Sequence, residues 1–237
     1  MATLKQKINW MLERLTGYAL VKAPPDYIRW LRSQRINTII DVGANEGQFV
    51  ESIRRYFPEA VIHSFEPLPE VFAPLKYRFA HDKRLIVHNC ALGDRTGTAE
   101  LYHNSFSPSS SLLPMHERHV EAFPHTGHAT RTTITLKRLD DLFEGMETTP
   151  PILLKIDVQG AESAVLEGAV RTLGHVLAVI MELSYTELYV GQKLRDEMVA
   201  MMEGYGFMYA GDIEYLSDSS GRRLQADGLF VRPKAYR

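Results

Sequence analysis

The sequence predicts an α/β fold in which helices cover both faces of a mostly parallel sheet that ends in an antiparallel hairpin. Short apolar runs alternate with segments of helical periodicity along most of the 237 residues. A turn with two glycines, at 41–47, directly follows the first strand-like run. The last two apolar runs, at about 206–210 and 228–231, flank a polar turn at 217–221, which is typical of a hairpin.

The elements follow from apolar periodicity and from the residues that end each run. Residues 1–21 carry an apolar helical face, Pro24 and Pro25 interrupt it, and Asp26 can cap a second helix. Strands are predicted at about 36–41, 60–66, 84–89, 97–103, 130–136, 152–157 and 176–183, of which 97–103 and 130–136 are expected to be exposed. Helices are predicted at about 46–57, 69–80, 139–143, 161–173 and 194–203.

We expect two parts, a helical extension at 1–35 and a single domain at 36–237. The domain contains an insertion at about 104–130, whose proline, glycine and serine content predicts a loop or lid over the site. Contacts with a substrate are favoured over a metal site for the two His-x-x-His pairs of this insertion, His116 with His119 and His125 with His128.

Composition favours a globular enzyme. Hydrophobic residues make up 45% of the chain and the formal net charge is −2, so bulk charge predicts no nucleic-acid partner. The single cysteine, Cys90, excludes an internal disulfide, and neither an export signal nor a transmembrane run is evident, so we expect a cytoplasmic protein. The N-terminal helix is expected to pack on the domain or on a second subunit, which would give a homodimer. Its few basic residues do not favour a membrane surface.

The stretch 38–49 predicts a strand, a tight turn and the start of a helix, which is where α/β sheets bind nucleotide-like ligands. Gly43 permits a sharp turn, Gly47 permits close approach of a ligand or helix, and Asn45 offers an amide. A carboxylate at Asp41 would repel a pyrophosphate but attract an ammonium group. S-adenosylmethionine carries an α-amino group and a sulfonium without any phosphate, so it fits this turn better than NAD.

The next two strands add residues for the nucleoside part of such a ligand. Glu66 ends the second strand before Pro67 and lies 19 residues after Gly47, close to the spacing at which an acid accepts both hydroxyl hydrogens of a ribose. For Cys90 a core role is favoured over a redox role. The residues expected to border an adenine follow the third strand: Asn89, Cys90 and Ala91.

The fourth parallel strand leads into the sequence from Lys155 to Glu162. Period-two alternation directs Lys155 and Asp157 to the same side, with Asp157 in the crevice at the carboxyl edge of the sheet. Lys155 either forms a buried pair with Glu162 or takes part in catalysis. Glu182, on the next strand, is an alternative partner for Lys155.

Together these segments resemble the FkbM-type S-adenosylmethionine-dependent methyltransferases. The resemblance implies a Rossmann-like class I methyltransferase fold with a seven-stranded sheet, and methylation of hydroxyl groups, often on sugars or polyketide products. The family often has Glu where this chain has Gln159. The matching segments are DVGANEG (41–47), FEP (65–67), ALG (91–93), SSSL (109–112) and KIDVQGAE (155–162) with Leu166 and Gly168, in the family's order. By matching position the cofactor would be held by Asp41, Gly43, Asn45, Gly47 and Glu66, and we add Ala44, Phe49, Pro67, Asn89, Cys90, Ala91 and Asp157 to the expected set.

Methyl transfer to an alcohol requires in-line attack by its oxygen and removal of its proton. Asp157 is the first choice as base, with Glu182 beside it, and histidines of the insertion are the alternative. The same two carboxylates could instead hold a Mg²⁺ ion that acidifies a substrate hydroxyl. Acceptor contacts are expected from Ser110, Ser111, His116 and Tyr185, while Phe106, Tyr185 and Tyr189 either stack on a sugar ring or belong to the core.

The leading hypothesis is therefore an O-methyltransferase that acts on a hydroxyl group of a sugar or glycan. One alternative is a methyltransferase of another small molecule or of RNA. Another is a non-catalytic module that binds S-adenosylmethionine. An NAD-dependent oxidoreductase is disfavoured because no G-x-G-x-x-G pattern follows the first strand.

Overall fold

The computed structural model describes residues 25–104, 109–122, 126, 129–218 and 220–233. Contacts divide the chain into two compact units, 1–33 and 34–237. In the first unit, helix α1 (Asp26–Ser33) begins at the predicted Asp26 and buries Ile28 and Leu31. The helix predicted at 1–21, together with Phe106, His125 and His128, lies outside the described residues.

The second unit is built on a seven-stranded sheet. Its strands are β1 (Thr38–Val42), β2 (Val61–Phe65), β3 (Leu85–His88), β7 (Ile152–Ile156), β8 (Val176–Ser184), β9 (Met208–Ser217) and β10 (Arg223–Val231), in the order β3-β2-β1-β7-β8-β10-β9. The first five are parallel, and β10 runs antiparallel to both β8 and β9. The prediction of a mostly parallel sheet closed by a C-terminal hairpin is confirmed.

The strands are parallel because helical segments connect them, and their continuous apolar runs suit burial on both faces. Every residue of β1 and β7 is buried. The α-helices of this unit are α2 (Gln48–Arg54), α3 (Pro69–Arg78), α4 (Glu117–Ala122), α5 (Leu139–Leu142), α6 (Glu162–Glu167) and α7 (Arg195–Gly204), with 3₁₀ turns at Phe143–Gly145 and Thr172–His175. The core around the sheet includes Ile40, Phe65, Leu154, Val165, Val179 and Phe230.

A second, three-stranded sheet contains the strands that the sequence predicts to be exposed. Strand β6 (Ala129–Lys137) pairs antiparallel with β5 (Gly97–Asn104) and parallel with the short β4 (Ala91–Leu92). One side of this small sheet is buried, which corrects the prediction, because alternate residues form an apolar cluster with α3. That cluster contains Leu68, Val71, Ala91, Leu101, Ile134 and Leu136.

Three boundaries differ from prediction. The helix expected at 161–173 ends at Glu167, and a separate 3₁₀ turn follows it. The chain departs from the α-helix because the buried Asp140 accepts hydrogen bonds from the backbone N–H groups of Arg171 and Thr172 at 3.1 and 2.8 Å. The insertion at 104–130 includes helix α4 as well as loop. The hairpin strands are longer than the apolar runs indicate, because polar residues continue the pairing beyond them.

Among the described residues, no helix has the length and apolar character needed to span a bilayer.

Candidate active site

A cavity of about 430 Å³ lies where the carboxyl ends of β1, β2 and β7 meet, which is where open α/β sheets bind ligands. Three segments form it: the turn after β1 with the start of α2, the end of β2 with α3, and the loop after β7. The insertion adds Ser110, Ser111 and Leu112, and the C-terminal hairpin adds Glu214 and Asp227.

The turn after β1 is shaped by a close approach of two backbones. Gly43 has a φ of +83°, and a Cβ atom there would lie 1.8 Å from the backbone oxygen of Asp157. The backbone N–H of Asp157 donates to the carbonyl of Val42 at 3.1 Å. Glycine is therefore required at position 43, both for its backbone angle and for its lack of a side chain.

Glu66 stands at the end of β2 with its carboxylate held by the backbone. Its Oε2 accepts from the N–H of Asn45 and its Oε1 from the N–H of Leu68, each at 2.9 Å. Burial raises the pKa of Glu66 to about 7, although these two N–H groups oppose the shift. Each oxygen keeps a second lone pair for a ligand hydroxyl. Apolar side chains border this end of the cavity: Leu68, Val71, Ala91, Leu92 and Leu101.

Lys155 is the cation of the cavity. Its Nζ lies 3.2 Å from Asp157 Oδ2, 3.7 Å from Asp41 Oδ1 and 5.6 Å from the centre of the Phe49 ring. Burial alone would lower the pKa of Lys155, but Asp157 and Asp41 raise it above its ordinary value, so the ammonium form persists. The predicted pair of Lys155 with Glu162 is wrong, since Glu162 instead accepts the backbone N–H groups of Val158 and Gly160 at 3.0 and 3.2 Å.

Asp41 does not reach the cavity. Its side chain is fully buried, and it accepts a hydrogen bond from Ser64 Oγ at 3.1 Å while it faces Lys155. Strand register explains this arrangement, because Asp41 lies directly beside Lys155 on β7 and beside Ser64 on β2. The expected contact of Asp41 with a ligand ammonium group is therefore wrong, and the carboxylate beside Lys155 that does line the cavity is Asp157.

A row of four carboxylates crosses the sheet at the other end of the cavity. Asp157 follows β7, and Glu182 lies on the neighbouring strand β8. Asp227 lies opposite Glu182 on β10, and Glu214 lies opposite Asp227 on β9. Like charges placed opposite one another raise the cost of ionisation. Burial first and then Asp157 raise the pKa of Asp227 to about 6, and burial with Asp157 raises the pKa of Glu182 well above its ordinary value.

Gln159 stands between the first two of these carboxylates. Its Nε2 donates to Asp157 Oδ1 at 2.9 Å and to Glu182 Oε2 at 3.1 Å. An amide therefore occupies the space between the two residues expected to hold Mg²⁺. Within the described part of the chain, no group of three or more His, Cys, Asp or Glu side chains is arranged to hold a metal ion, so the metal expectation is unsupported.

The described part of the insertion lies against the loop after β8. The N–H of His116 donates to Leu188 and the N–H of Val190 donates to Pro114, each at 2.8 Å. Ser111 Oγ donates to the backbone oxygen of Gln159 at 2.6 Å. These bonds bring the described part of the insertion to the cavity.

The cavity brings together ten of the residues expected from sequence: Gly43, Ala44, Asn45, Phe49, Glu66, Pro67, Ala91, Ser110, Ser111 and Asp157. Seven others do not line it: Asp41, Gly47, Asn89, Cys90, His116, Tyr185 and Glu182.

Each of these seven has a visible reason for its position. A Cβ atom at Gly47 would meet the Phe79 and Leu75 side chains, so this glycine serves helix packing. Asn89 donates to the backbone oxygens of Glu66 and Pro67 at 3.0 Å, and Cys90 is a buried core residue. Asp41 and Glu182 do not line the cavity themselves but contact side chains that do. His116 Nε2 lies 3.9 Å from Glu187 Oε2. Tyr185 donates to Asp212 on β9.

Sequence reasoning missed several cavity residues. Asp227 and Glu214 carry no motif, and only the pairing of the hairpin strands brings them beside Asp157. Gln48 and Ser52 follow the glycine turn on one face of α2, so helical periodicity could have indicated them.

Comparison with known proteins gives one family match. A model of the methyltransferase FkbM domain matches residues 41–209, which include the turn after β1, Glu66 and the segment from Lys155 to Glu182.

Three curated relatives are similar over most of the chain. Methyltransferase sdnD of Sordaria araneosa is 29% identical over 194 residues, covering 71% of this chain and 73% of the relative. The 2-O-methyltransferase NoeI of Sinorhizobium fredii is 27% identical over 162 residues, covering 65% and 66%. The 31-O-demethyl-FK506 methyltransferase FkbM of Streptomyces tacrolimicus is 26% identical over 198 residues, covering 72% of both chains.

Among solved structures, the chain is similar to Aeropyrum pernix fibrillarin in complex with natively bound S-adenosyl-L-methionine. The TM-score is 0.48 at 12% identity, and the match covers 82% of this chain and 66% of that one.

Proposed function

This chain belongs to the methyltransferase FkbM family and is an S-adenosylmethionine-dependent methyltransferase, and we propose that it methylates a hydroxyl group of a sugar or glycan. The observation that carries the proposal is the cavity itself. One end, at Glu66, suits a nucleoside, and the other end has a row of hydrogen-bond acceptors that begins at Asp157. Two of its relatives, a 2-O-methyltransferase and a 31-O-demethyl-FK506 methyltransferase, support oxygen as the methylated atom.

The residues at the first end of the cavity fit the cofactor. S-adenosylmethionine supplies an activated methyl group on a sulfonium. Glu66 would accept the two ribose hydroxyls, and the apolar side chains of Leu68, Val71 and Leu101 would border the adenine. Asp157 offers a carboxylate to the positive charge of the methionine part.

The second end of the cavity supports a polyhydroxylated acceptor. Carboxylates accept hydrogen bonds and donate none, so Asp157, Asp227 and Glu214 together suit a ligand that presents several hydroxyl groups on one side. Ser110 and Ser111 add hydroxyls that can donate or accept. An acceptor that is apolar throughout would cover Asp227 and Glu214 without offering them hydrogen bonds, which costs free energy.

Asp157 is our proposed base. Its Oδ2 is paired with Lys155 and its Oδ1 accepts from Gln159, and each oxygen keeps a lone pair for an acceptor hydroxyl. These two contacts fix the carboxylate without blocking it. As the acceptor oxygen attacks the methyl group in line, Asp157 would take the hydroxyl proton, so the methylated oxygen carries no charge in the product.

The cofactor is tested first, by calorimetric titration of the purified protein with S-adenosylhomocysteine and with NAD as control. We expect micromolar binding of the former and none of the latter. Binding of NAD alone would contradict the charge argument for the cavity.

The acceptor is tested by incubation with S-adenosylmethionine and a panel of methyl glycosides, with mass spectrometry of the products. We expect a mass increase of one methyl group on at least one glycoside. Asp157→Asn should lower the rate by about a hundredfold or more, because the base is lost. Binding of S-adenosylhomocysteine should weaken by a smaller factor than the rate falls, because Asp157 also faces the ammonium group of the cofactor.

The control variant is Asp196→Asn, which removes a carboxylate that is 92% exposed and pairs only with Arg195. Transfer to RNA or to another small molecule, with no transfer to any glycoside, would refute the acceptor class. Cofactor binding with no transfer to any of these would favour the non-catalytic alternative.

A further inference from the structure

The side chain of Gln159 connects three parts of the molecule that the sequence keeps far apart. Its backbone has a φ of +56°, which is uncommon for a residue with a side chain. Its backbone oxygen accepts from Ser111 Oγ at 2.6 Å, which ties this turn to the insertion. The turn is therefore held in a strained conformation by contacts on both of its sides.

The amide of Gln159 has one chemically acceptable orientation. Its Nε2 faces the carboxylates of Asp157 and Glu182, at 2.9 and 3.1 Å. Its Oε1 accepts from the hydroxyl of Tyr189 at 2.8 Å. The opposite orientation would direct Oε1 at two carboxylates, so the donor to Oε1 has to be the tyrosine.

Tyr189 is held firmly enough to fix that amide. It is 1% exposed, and the N–H groups of Leu188 and Tyr189 both donate to Gln192 Oε1, at 2.7 and 2.6 Å. Burial and Glu182 raise the pKa of Tyr189 far above its ordinary value, so its hydroxyl remains a donor at any working pH.

The insertion contacts the same tyrosine. Met115 forms a β-bridge with Tyr189, and the ring of His119 on α4 meets the Tyr189 ring edge-on at 5.1 Å between centroids. The hydroxyl of Tyr189 also lies 3.3 Å from the backbone oxygen of Ser109. A movement of the insertion is therefore transmitted to Tyr189 and from it to Gln159.

We propose that Tyr189 is a positioning residue for methyl transfer, which holds the Asp157 carboxylate through Gln159 and couples its orientation to the seating of residues 109–116. The inference rests on the proposed role of Asp157 as base. Tyr189 itself does not line the cavity, so it acts only through the amide. In this arrangement, the Asp157 carboxylate is correctly oriented only while residues 109–116 are in place.

The first arm of the test measures turnover with the methyl glycoside that gives the fastest transfer. Tyr189→Phe keeps the ring and removes the one hydroxyl. We expect kcat to fall about tenfold while the acceptor KM and the affinity for S-adenosylhomocysteine change less than about twofold, since the lost contact orients the base. Tyr209→Phe is the matched control, because that hydroxyl donates to Asp212 outside the cavity.

A double-mutant cycle separates positioning from general destabilisation. If Tyr189 acts through the amide, then adding Tyr189→Phe to Gln159→Leu should lower kcat by less than about twofold further. Equal effects of Tyr189→Phe in the two backgrounds would overturn the proposal.

The second arm needs no acceptor and so remains decisive if no glycoside is methylated. Hydrogen exchange is followed by mass spectrometry with S-adenosylhomocysteine bound. Tyr189→Phe should speed exchange at residues 111–113 and 158–160 by about fivefold or more, and Tyr209→Phe should not. Unchanged exchange in Tyr189→Phe would refute the coupling, whereas faster exchange without any glycoside methylation would refute only the proposed acceptor.

Discussion

At the scale of single residues, Glu66 has an unusually high pKa for a glutamate. Its burial raises its pKa to about 7, so near neutral pH the side chain exists in both forms. Only the carboxylate can accept two ribose hydroxyls, because a protonated carboxyl uses one oxygen as a donor. Cofactor affinity is therefore linked to the ionisation of this one group.

We predict that S-adenosylhomocysteine binds about tenfold more weakly at pH 6 than at pH 8, because below pH 7 the proton must leave Glu66 before binding. Glu66→Gln should weaken binding at pH 8 and remove most of this pH dependence. Calorimetric titrations across the pH range measure both effects. Glu203→Gln, which changes an exposed acid on α7, is the control, and an equally steep pH dependence in Glu66→Gln would contradict the assignment.

Residues differed in how far the sequence could predict their roles. The position of Glu66 in the cavity was predictable, because it depends on spacing along the chain. Asp41 was not, because its carboxylate is captured by Lys155 and Ser64 on the strands at either side. Which residue lies opposite Asp41 is a property of strand register, and a single sequence does not contain it.

At the scale of elements, the junction between the two sheets depends on one close approach. Gly168 ends α6 with a φ of −84°, where any residue is tolerated, but a Cβ there would lie 1.9 Å from the backbone oxygen of Gly93. The N–H of Asp140 donates to the carbonyl of Gly168 at 2.9 Å. The end of α6 is thereby locked between β4 and the start of α5.

Gly168→Ala should lower the free energy of unfolding by about 2–3 kcal/mol, since the added methyl group forces the backbones apart. Urea denaturation measures this change. Gly174→Ala is the matched control, because no atom lies within 4 Å of a Cβ atom at that position and the change should be nearly neutral. Equal losses in the two variants would contradict the role given to the close approach.

The elements themselves were largely predictable, because their apolar periods are strong. The parallel strands and their order along the chain follow from runs such as 152–157. The length of the hairpin was underestimated because Asp212, Glu214 and Asp227 break the apolar pattern inside it. Glu214 and Asp227 line the cavity, so the apolar pattern is interrupted next to the candidate site.

At the scale of the whole molecule, the buried His63 and the half-buried His88 link stability to pH. His63 Nε2 donates to the backbone oxygen of Glu147 at 2.9 Å, so His63 Nδ1 is an acceptor and receives His88 Nε2–H at 3.1 Å. The His88 ring also stacks on Phe65 at 4.4 Å. Burial, with His63 beside it, lowers the pKa of His88 to about 4, and burial lowers the pKa of His63.

Because the folded state lowers the pKa of His88 from 6.5 to about 4, its contribution to stability is present above pH 6.5 and is lost as the pH falls toward 4. Relative to His88→Gln, the protein should lose about 1–2 kcal/mol over that window, less than the full shift implies because water reaches part of the ring. Glutamine keeps a donor to His63 and does not titrate. Urea midpoints at several pH values measure the difference, with His81→Gln as an exposed control. Parallel pH curves for the protein and His88→Gln would contradict the linkage.

The contact between Gly43 and the backbone of Asp157 has a consequence for redesign. Strands β1 and β7 lie side by side in register, so the sheet fixes the distance between the turn after β1 and Asp157. A change at either strand end would disturb both at once. The hairpin contributes Glu214 and Asp227 to the cavity wall. To change which hydroxyl the proposed reaction methylates, these two residues are the ones to substitute, because they leave in place both the strand spacing and the contacts of the insertion with Tyr189.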